Sequence, residues 1–292
     1  MIPSLSPNME SAKAFRVPRR ALWRAGAREA SPAFLFLFLV FVVPLSSLLL
    51  RSVTDPVLGF GNYEHLLSDL TYGRVLLNTF MVATVVTIVT LLLGYPVAWL
   101  LVILPTRVSR WMLAIILLSM WTNLVARTYA WLVLFQRTGV INRMLMEIGL
   151  IDTPIPLIGN LAGVTIGMTY IMLPFIVFPL QSSLAAIDPA IMQVAAISGA
   201  RPYQVFFRVL LPLSLNGICA GGLMVFVMAL GYYITPALLG GTSTMMLAEL
   251  IAVQVQSLLN WGLGSAAAFI LLAVTLALYA LYARGLGLGR IR

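Results

Sequence analysis

The chain has 292 residues, 61% of them hydrophobic and only 9% charged. A soluble domain carries roughly 25% charged residues, so a water-covered globule is excluded and a polytopic membrane protein is expected. The net charge is +9, but the basic residues flank apolar runs, which suits a membrane and not nucleic acid.

Residues 1–32 are basic and carry Pro3, Pro7, Pro18 and Pro32; they read as a flexible cytoplasmic N-terminal arm. A basic stretch before an apolar run also resembles a secretory signal. Residues 45–51 offer no Ala-x-Ala cleavage pattern and Pro44 lies inside the run, so the first span is expected to stay uncleaved. A spanning helix needs about 20 mostly apolar residues. Six such spans are predicted, at about 33–50, 76–103, 111–135, 161–180, 209–233 and 261–282. They define an all-α membrane domain over 33–284, with a cytoplasmic tail at 285–292.

An even number of spans puts both termini on one side. That side, with the second–third and fourth–fifth loops, holds Lys13, Arg107, Arg110, Arg201, Arg208, Arg284 and most other basic residues, 13 of 18. The opposite side holds Arg51, Arg74, Arg127, Arg137 and Arg143 together with six of the nine acids. Positive loops stay inside, so both termini are expected to be cytoplasmic.

The second predicted span would reach about 42 Å at 1.5 Å per residue, longer than the roughly 30 Å hydrocarbon core. A kink is expected at Gly94-Tyr95-Pro96. Pro174 and Pro179 interrupt the fourth span, and Gly231–Pro236 ends the fifth before Gly240-Gly241. Broken backbone at membrane depth must be buried or line a cavity; ordinary proline kinking and a gate wall both fit. Gly163-x3-Gly167 and Gly217-x3-Gly221 allow close helix approach, within the chain or at a dimer seam.

The loop at about 185–212 is the longest polar interruption on the cytoplasmic side. Asp188-Pro189 is a helix start, with Asp as cap and Pro at the first helical position. A short helix to Ile197 follows, then Gly199, which permits a turn with positive φ. Pro202 opens a second short helix. In it Tyr203, Phe206, Phe207 and Leu210 recur at i, i+3, i+4 and i+7, while Arg201, Gln204 and Arg208 mark another face. Such spacing suits a helix held in a partner's groove and equally a helix lying on a membrane surface.

This segment resembles the Glu-Ala-Ala-x3-Gly-x9-Ile-x-Leu-Pro (EAA) motif of bacterial ABC importer permeases. Ala195, Gly199, Val209, Leu211 and Pro212 fall on its spacing; Gln193 stands in place of Glu and Val194 in place of the first Ala. Gly94-Tyr95-Pro96, Trp121-Thr122-Asn123, Arg127-x-Tyr129, Ile151-Asp152-Thr153-Pro154, Leu173-Pro174-Phe175 and residues 235–241 are similar to the spermidine/putrescine permease branch, over roughly 33–284. The resemblance implies the type I ABC importer fold with six transmembrane helices. It implies docking of a separate ABC ATPase dimer through Gln193, Ala195, Gly199, Arg201, Tyr203, Phe206, Phe207, Arg208 and Pro212. It further implies a second permease subunit, favouring a different chain, and a periplasmic or lipid-anchored substrate-binding protein, all in the bacterial inner membrane.

The residues themselves point to work supplied from outside. A phosphate-binding P-loop requires Gly-x4-Gly-Lys-Ser/Thr, and Lys13, the only lysine, has no such context; ATP and Mg are expected in the partner ATPase, with no cofactor in this chain. Cys219 is the only cysteine, so neither an intrachain disulfide nor a metal site is expected. No His-Glu-x-x-His or Gly-x-Ser-x-Gly pattern occurs, and His65, the only histidine, lies in an outer loop; the chain does not read as an enzyme. A secondary transporter or channel is disfavoured because no Asp or Glu lies in mid-span, and a scaffold without a pathway by the broken helices.

Candidate pathway or gate residues are Trp121, Asn123, Arg127, Tyr232, Tyr233, Glu249 and Trp261. Arg127 lies well inside an apolar segment, where it either faces a cavity or snorkels to the outer headgroups. A polyamine would prefer aromatic rings and carboxylates along its route, and Glu249 is the only acid of the last outer loop. Polyamine is the first substrate expectation; the polyamine branch often carries Asp-Trp where this chain has Asn260-Trp261, which leaves another small amine, or an amino-acid-like, zwitterionic or anionic solute, as the alternative.

Overall fold

A computed structural model of the chain describes residues 31–286, and among them every regular element is a helix. Of the expected arm at 1–32 only Ser31 and Pro32 are described, already helical; the tail at 285–292 lies outside the described residues beyond Leu286. The helix residues up to Leu50 form one unit, and the chain from Arg51 forms a second. Helix α1 is Ser31–Thr54, with a wide turn at Phe38–Val42. Pro44 follows that turn, and a proline ring clashes with the carbonyl four residues earlier, so a locally wider turn relieves it.

The second unit runs α2 (Gly61–Ser68), α3 (Leu70–Ile103), α4 (Thr106–Trp121), α5 (Leu124–Leu134), α6 (Val140–Glu147), α7 (Leu161–Ala185), α8 (Pro189–Ile197), α9 (Pro202–Leu213), α10 (Leu215–Leu230), α11 (Ile234–Leu239), α12 (Leu247–Ala252) and α13 (Trp261–Leu286). Four helices (α1, α3, α7 and α13) are long and apolar enough to cross a membrane singly. Two bent pairs, α4–α5 and α9–α10, bring the number to six.

The bends correct two expectations. The third span is not continuous: α4 and α5 meet at 97°. The Asn123 side chain makes this possible by accepting from the N–H groups of Val125 and Ala126, at 2.9 and 3.2 Å, so the broken backbone is capped rather than orphaned. The fifth span bends by 65° at Ser214, where the second short helix of the loop runs on into α10. Helix α3 stays helical through Gly94-Tyr95-Pro96. Thr79, Thr84, Thr87 and Thr90 donate to carbonyls one turn back on α3, satisfying their hydroxyls without water.

Helix α7 is apolar on all sides, as a buried helix must be. Val164, Met168, Met172, Ile176 and Leu180 along it are fully buried. It packs against α3 and α10 through small residues. A Cβ at Gly94 would overlap Cγ2 of Ile176, and one at Gly221 would sit 3.0 Å from Ile176 Cγ1 and 3.3 Å from its carbonyl oxygen. Ile176 thus fills the seam among three helices, and the Gly217-x3-Gly221 pattern serves packing within the chain.

Candidate functional site

The 185–212 segment forms as its residues dictate. Asp188 Oδ1 accepts from Ala190 N at 2.9 Å, and Pro189 begins α8. The helix ends in a paired-bond turn: Gly199 N donates to Ala196 O and Ala200 N to Ala195 O, at 3.0 and 3.2 Å. Gly199 holds φ at +83°, the left-handed conformation that such a C-terminal turn requires and glycine adopts without strain. Ala195 and Gly199 therefore belong to one device, the turn between α8 and α9. Arg201 precedes α9, and its N–H donates to Gln204 Oε1 at 2.9 Å, so Gln204 caps the helix.

The expected aromatic face divides in two. A wide turn at Phe206–Leu210, ahead of Pro212, rotates the side chains. Phe206 turns inward, meeting Tyr95 of α3 edge-on at 5.6 Å and Trp99 at 6.3 Å, and Leu210 is buried. Tyr203 and Phe207 stay outside, 56% and 62% exposed, joined by Ile197 at 87%. Gln193, Arg201, Arg208 and Pro212 are also exposed. The exposed apolar side chains of the segment thus include Val194, Ile197, Tyr203 and Phe207, with Arg201 and Arg208 exposed as well. Tyr95 and Trp99, missed as partners of the loop, are one turn apart on α3; that spacing was the available signal. Tyr95 also bonds Ser214 Oγ at 3.0 Å, at the bend into α10.

At the other broken elements, α5 packs on α11, and Thr128 Oγ1 lies 3.4 Å from Thr235 Oγ1. Arg127 and Thr235 are the polar neighbours of Tyr232. The Arg127 Nε is buried without a hydrogen-bond partner among the described residues, and the buried Tyr232 hydroxyl has the Thr235 side chain as a weak hydrogen-bonding neighbour. Tyr233 is partly exposed beside them, and Trp121 stands at the α4–α5 elbow, 88% exposed. Asn123 is occupied as the α5 cap.

Glu249 and Trp261 belong to other surroundings. The Trp261 ring carries the Arg51 guanidinium at 5.1 Å, so one face of this aromatic is already occupied by a cation. Glu249 is half-buried in α12 with Oε2 unpartnered, and burial pushes its carboxyl above the ordinary range, partly offset by the Met246 backbone. The segments around 136–155 and 243–247 are latched by residues that sequence reading passed over. Asn142, fully buried, donates to Gln136 O and Ile155 O and accepts from Ile155 N. Asn78 and Thr79 of α3 bond Ser243 O and Leu247 N, each at 2.8 Å.

No family model matches the chain. It is 36% identical over 223 residues to the spermidine/putrescine transport system permease protein PotB of Escherichia coli (strain K12), across 76% of this chain and 81% of the relative. Its fold is similar to a crystal structure of a bacterial ABC transporter involved in the import of the acidic polysaccharide alginate. That match has a TM-score of 0.70 and 16% identity, and covers 91% of this chain and 99% of the other. The bacterial alginate ABC transporter in complex with an alginate pentasaccharide-bound periplasmic protein matches with the same TM-score, at 17% identity over 91% and 95% of the two chains.

Proposed function

The chain belongs to the spermidine/putrescine permease family of ABC importers, and from that premise we propose that it forms half of a polyamine pathway through the inner membrane, driven by a separate ATPase docked on residues 193–212. The observation that carries the coupling is the split aromatic face. Tyr203 and Phe207 stand exposed, as does Ile197 at the end of α8, while Phe206 fastens α9 to α3 at Tyr95 and Trp99. A helix held at its back and free at its front is suited to receive motion from a partner and pass it to the spans. In this reading both termini and the segment face the cytoplasm, in keeping with the arginine bias of those loops.

ATPase closure moves α8 and α9 together. The tilt enters α10 through the Ser214 bend and α3 through the Phe206 contact, so the pathway alternates between its two openings. The second permease is a different chain, and a binding protein delivers the solute to the outer loops. The solute's ammonium groups would meet Glu249, the aromatic rings of Tyr232 and Tyr233, and the carbonyls freed at the broken spans. Supporting a polyamine is the name carried by a relative that this chain covers over four-fifths of its length.

The test is reconstitution of the chain with its companion permease, ATPase and binding protein in vesicles. Labelled spermidine should enter only with ATP, and Phe207→Asp with Ile197→Asp should release the ATPase while leaving the protein inserted. ATP-independent entry, or an ATPase that stays bound to the double variant, overturns the reading.

A further inference from the structure

Where α7 hands over to the coupling segment there is a hollow of about 600 Å³. Its walls come from the end of α7, the start of α8, the end of α9 and the start of α10. Ser182, Ser183, Asp188 and Asn216 face it, and no basic side chain lines it, in a chain with twice as many basic as acidic residues. Ser182, Asp188 and Asn216 are exposed at its mouth and Ser183 is half-buried. Asp188 spends one oxygen, Oδ1, on the Ala190 N–H; Oδ2 remains. Ile187, Ile191 and Leu213 add an apolar strip along the same hollow.

An ammonium group carries three donors and no acceptor. Hydroxyls, an amide oxygen and a carboxylate without competing cations match it, and the apolar strip matches a chain of methylenes. We propose that this hollow binds a short aliphatic amine from the side of the coupling segment. The ligand's identity as spermidine or putrescine rests on the polyamine reading above. Because the hollow spans α8 and α10, a bound amine ties the coupling helix to the transmembrane helix it must move against.

The experiment is titration calorimetry of the assembled permease–ATPase complex, without binding protein, with spermidine and with 1,4-butanediol as a neutral chain. Uptake by the reconstituted vesicles is measured in parallel. Asp188→Asn keeps the helix cap, since asparagine caps as well as aspartate, and removes the charge. Spermidine should bind and the diol should not. Affinity should fall about threefold to fivefold in Asp188→Asn, the scale of a solvent-reached ion pair, and by a smaller factor in Asn216→Ala. If Asp188→Asn unfolds, Asn216→Ala and Ser183→Ala decide alone. Absent spermidine binding, or affinity unchanged in these variants, overturns the site. Uptake with no variant-sensitive binding leaves the polyamine reading standing without the site; variant-sensitive binding with no uptake leaves the site standing without that reading.

Discussion

Phe206 and Tyr95 meet edge to face, ring centres 5.6 Å apart and planes at 82°, which fastens α9 to α3, the longest helix among the described residues. Its neighbour Phe207 touches Phe206 at 4.9 Å yet points outward. The two phenylalanines therefore have separable roles. Phe206→Ala removes aromatic contacts worth about 0.5–1.5 kcal/mol each beyond their buried area, so the purified protein should melt several degrees lower. It should still bind its ATPase but transport less per ATP hydrolysed. Phe207→Ala should leave the melting temperature unchanged and weaken ATPase binding. The two variants are separated by a melting curve and a pull-down; an equal effect of both on either measurement contradicts the division.

The seam around Ile176 makes a second prediction. A methyl at Gly94 has no room because Ile176 already fills the contact. Overpacking of a tight core costs about 1–3 kcal/mol, so Gly94→Ala should lower thermal stability in detergent. Ile176→Ala alone opens a cavity and should also destabilise, by about 2–5 kcal/mol. The double variant should be more stable than the sum of the two losses, since each change vacates or fills the other's space. Strict additivity would show that the α3–α7 contact is not the one described.

Why some of this was legible in the sequence and some not follows from the range of each signal. Asp188-Pro189, Gly199 and Pro202 specify caps and turns through their own backbones, so α8 and α9 appear where expected. Apolar runs of adequate length fix the spans for a similarly local reason. The α4–α5 elbow escaped because Asn123 reads as one polar residue in an apolar run; only its bonds to Val125 and Ala126 reveal a helix start. The aromatic stripe 203–206–207–210 assumed 3.6 residues per turn, and the wide turn at Phe206–Leu210 broke that period. A stripe also does not say which partner lies in front of it: for Phe206 it is α3. Asn142 was invisible because its partner Ile155 is brought back by the fold of the loop.

Glu249 sets a dependence on pH. Its carboxyl is raised above the usual value by burial, so the folded protein holds the proton more tightly than the unfolded chain. The stability tied to the protonated form is complete below the ordinary value of 4.5 and is lost as pH rises through the higher folded-state value. Thermal melts of the purified protein should therefore fall in temperature across that interval. Glu249→Gln, which cannot ionise, should flatten the slope and melt above the native protein at neutral pH. A variant that melts lower at neutral pH would mean that the charged carboxylate has a partner in the folded state.

Arg127 and Tyr232 give the sharpest test of the pathway. Arg127 carries a buried Nε without a partner among the described residues, and Tyr232 a buried hydroxyl held only weakly by Thr235, where the α5 start meets the chain leading into α11. Unsatisfied polar groups at such a place cost about 1–3 kcal/mol each, an expense consistent with waiting for a ligand or a second conformation. If they work in transport, Tyr232→Phe and Arg127→Ala should each reduce spermidine uptake by roughly fivefold to a hundredfold, the factor equivalent to one such interaction. Insertion and ATPase binding should be preserved, because neither residue belongs to the 193–212 segment. Arg127→Lys separates a pathway role from snorkelling. A lysine reaches the headgroups as well as arginine does and would restore full uptake if that were the only duty of Arg127, whereas a role resting on the guanidinium fork beside Tyr232 leaves uptake low.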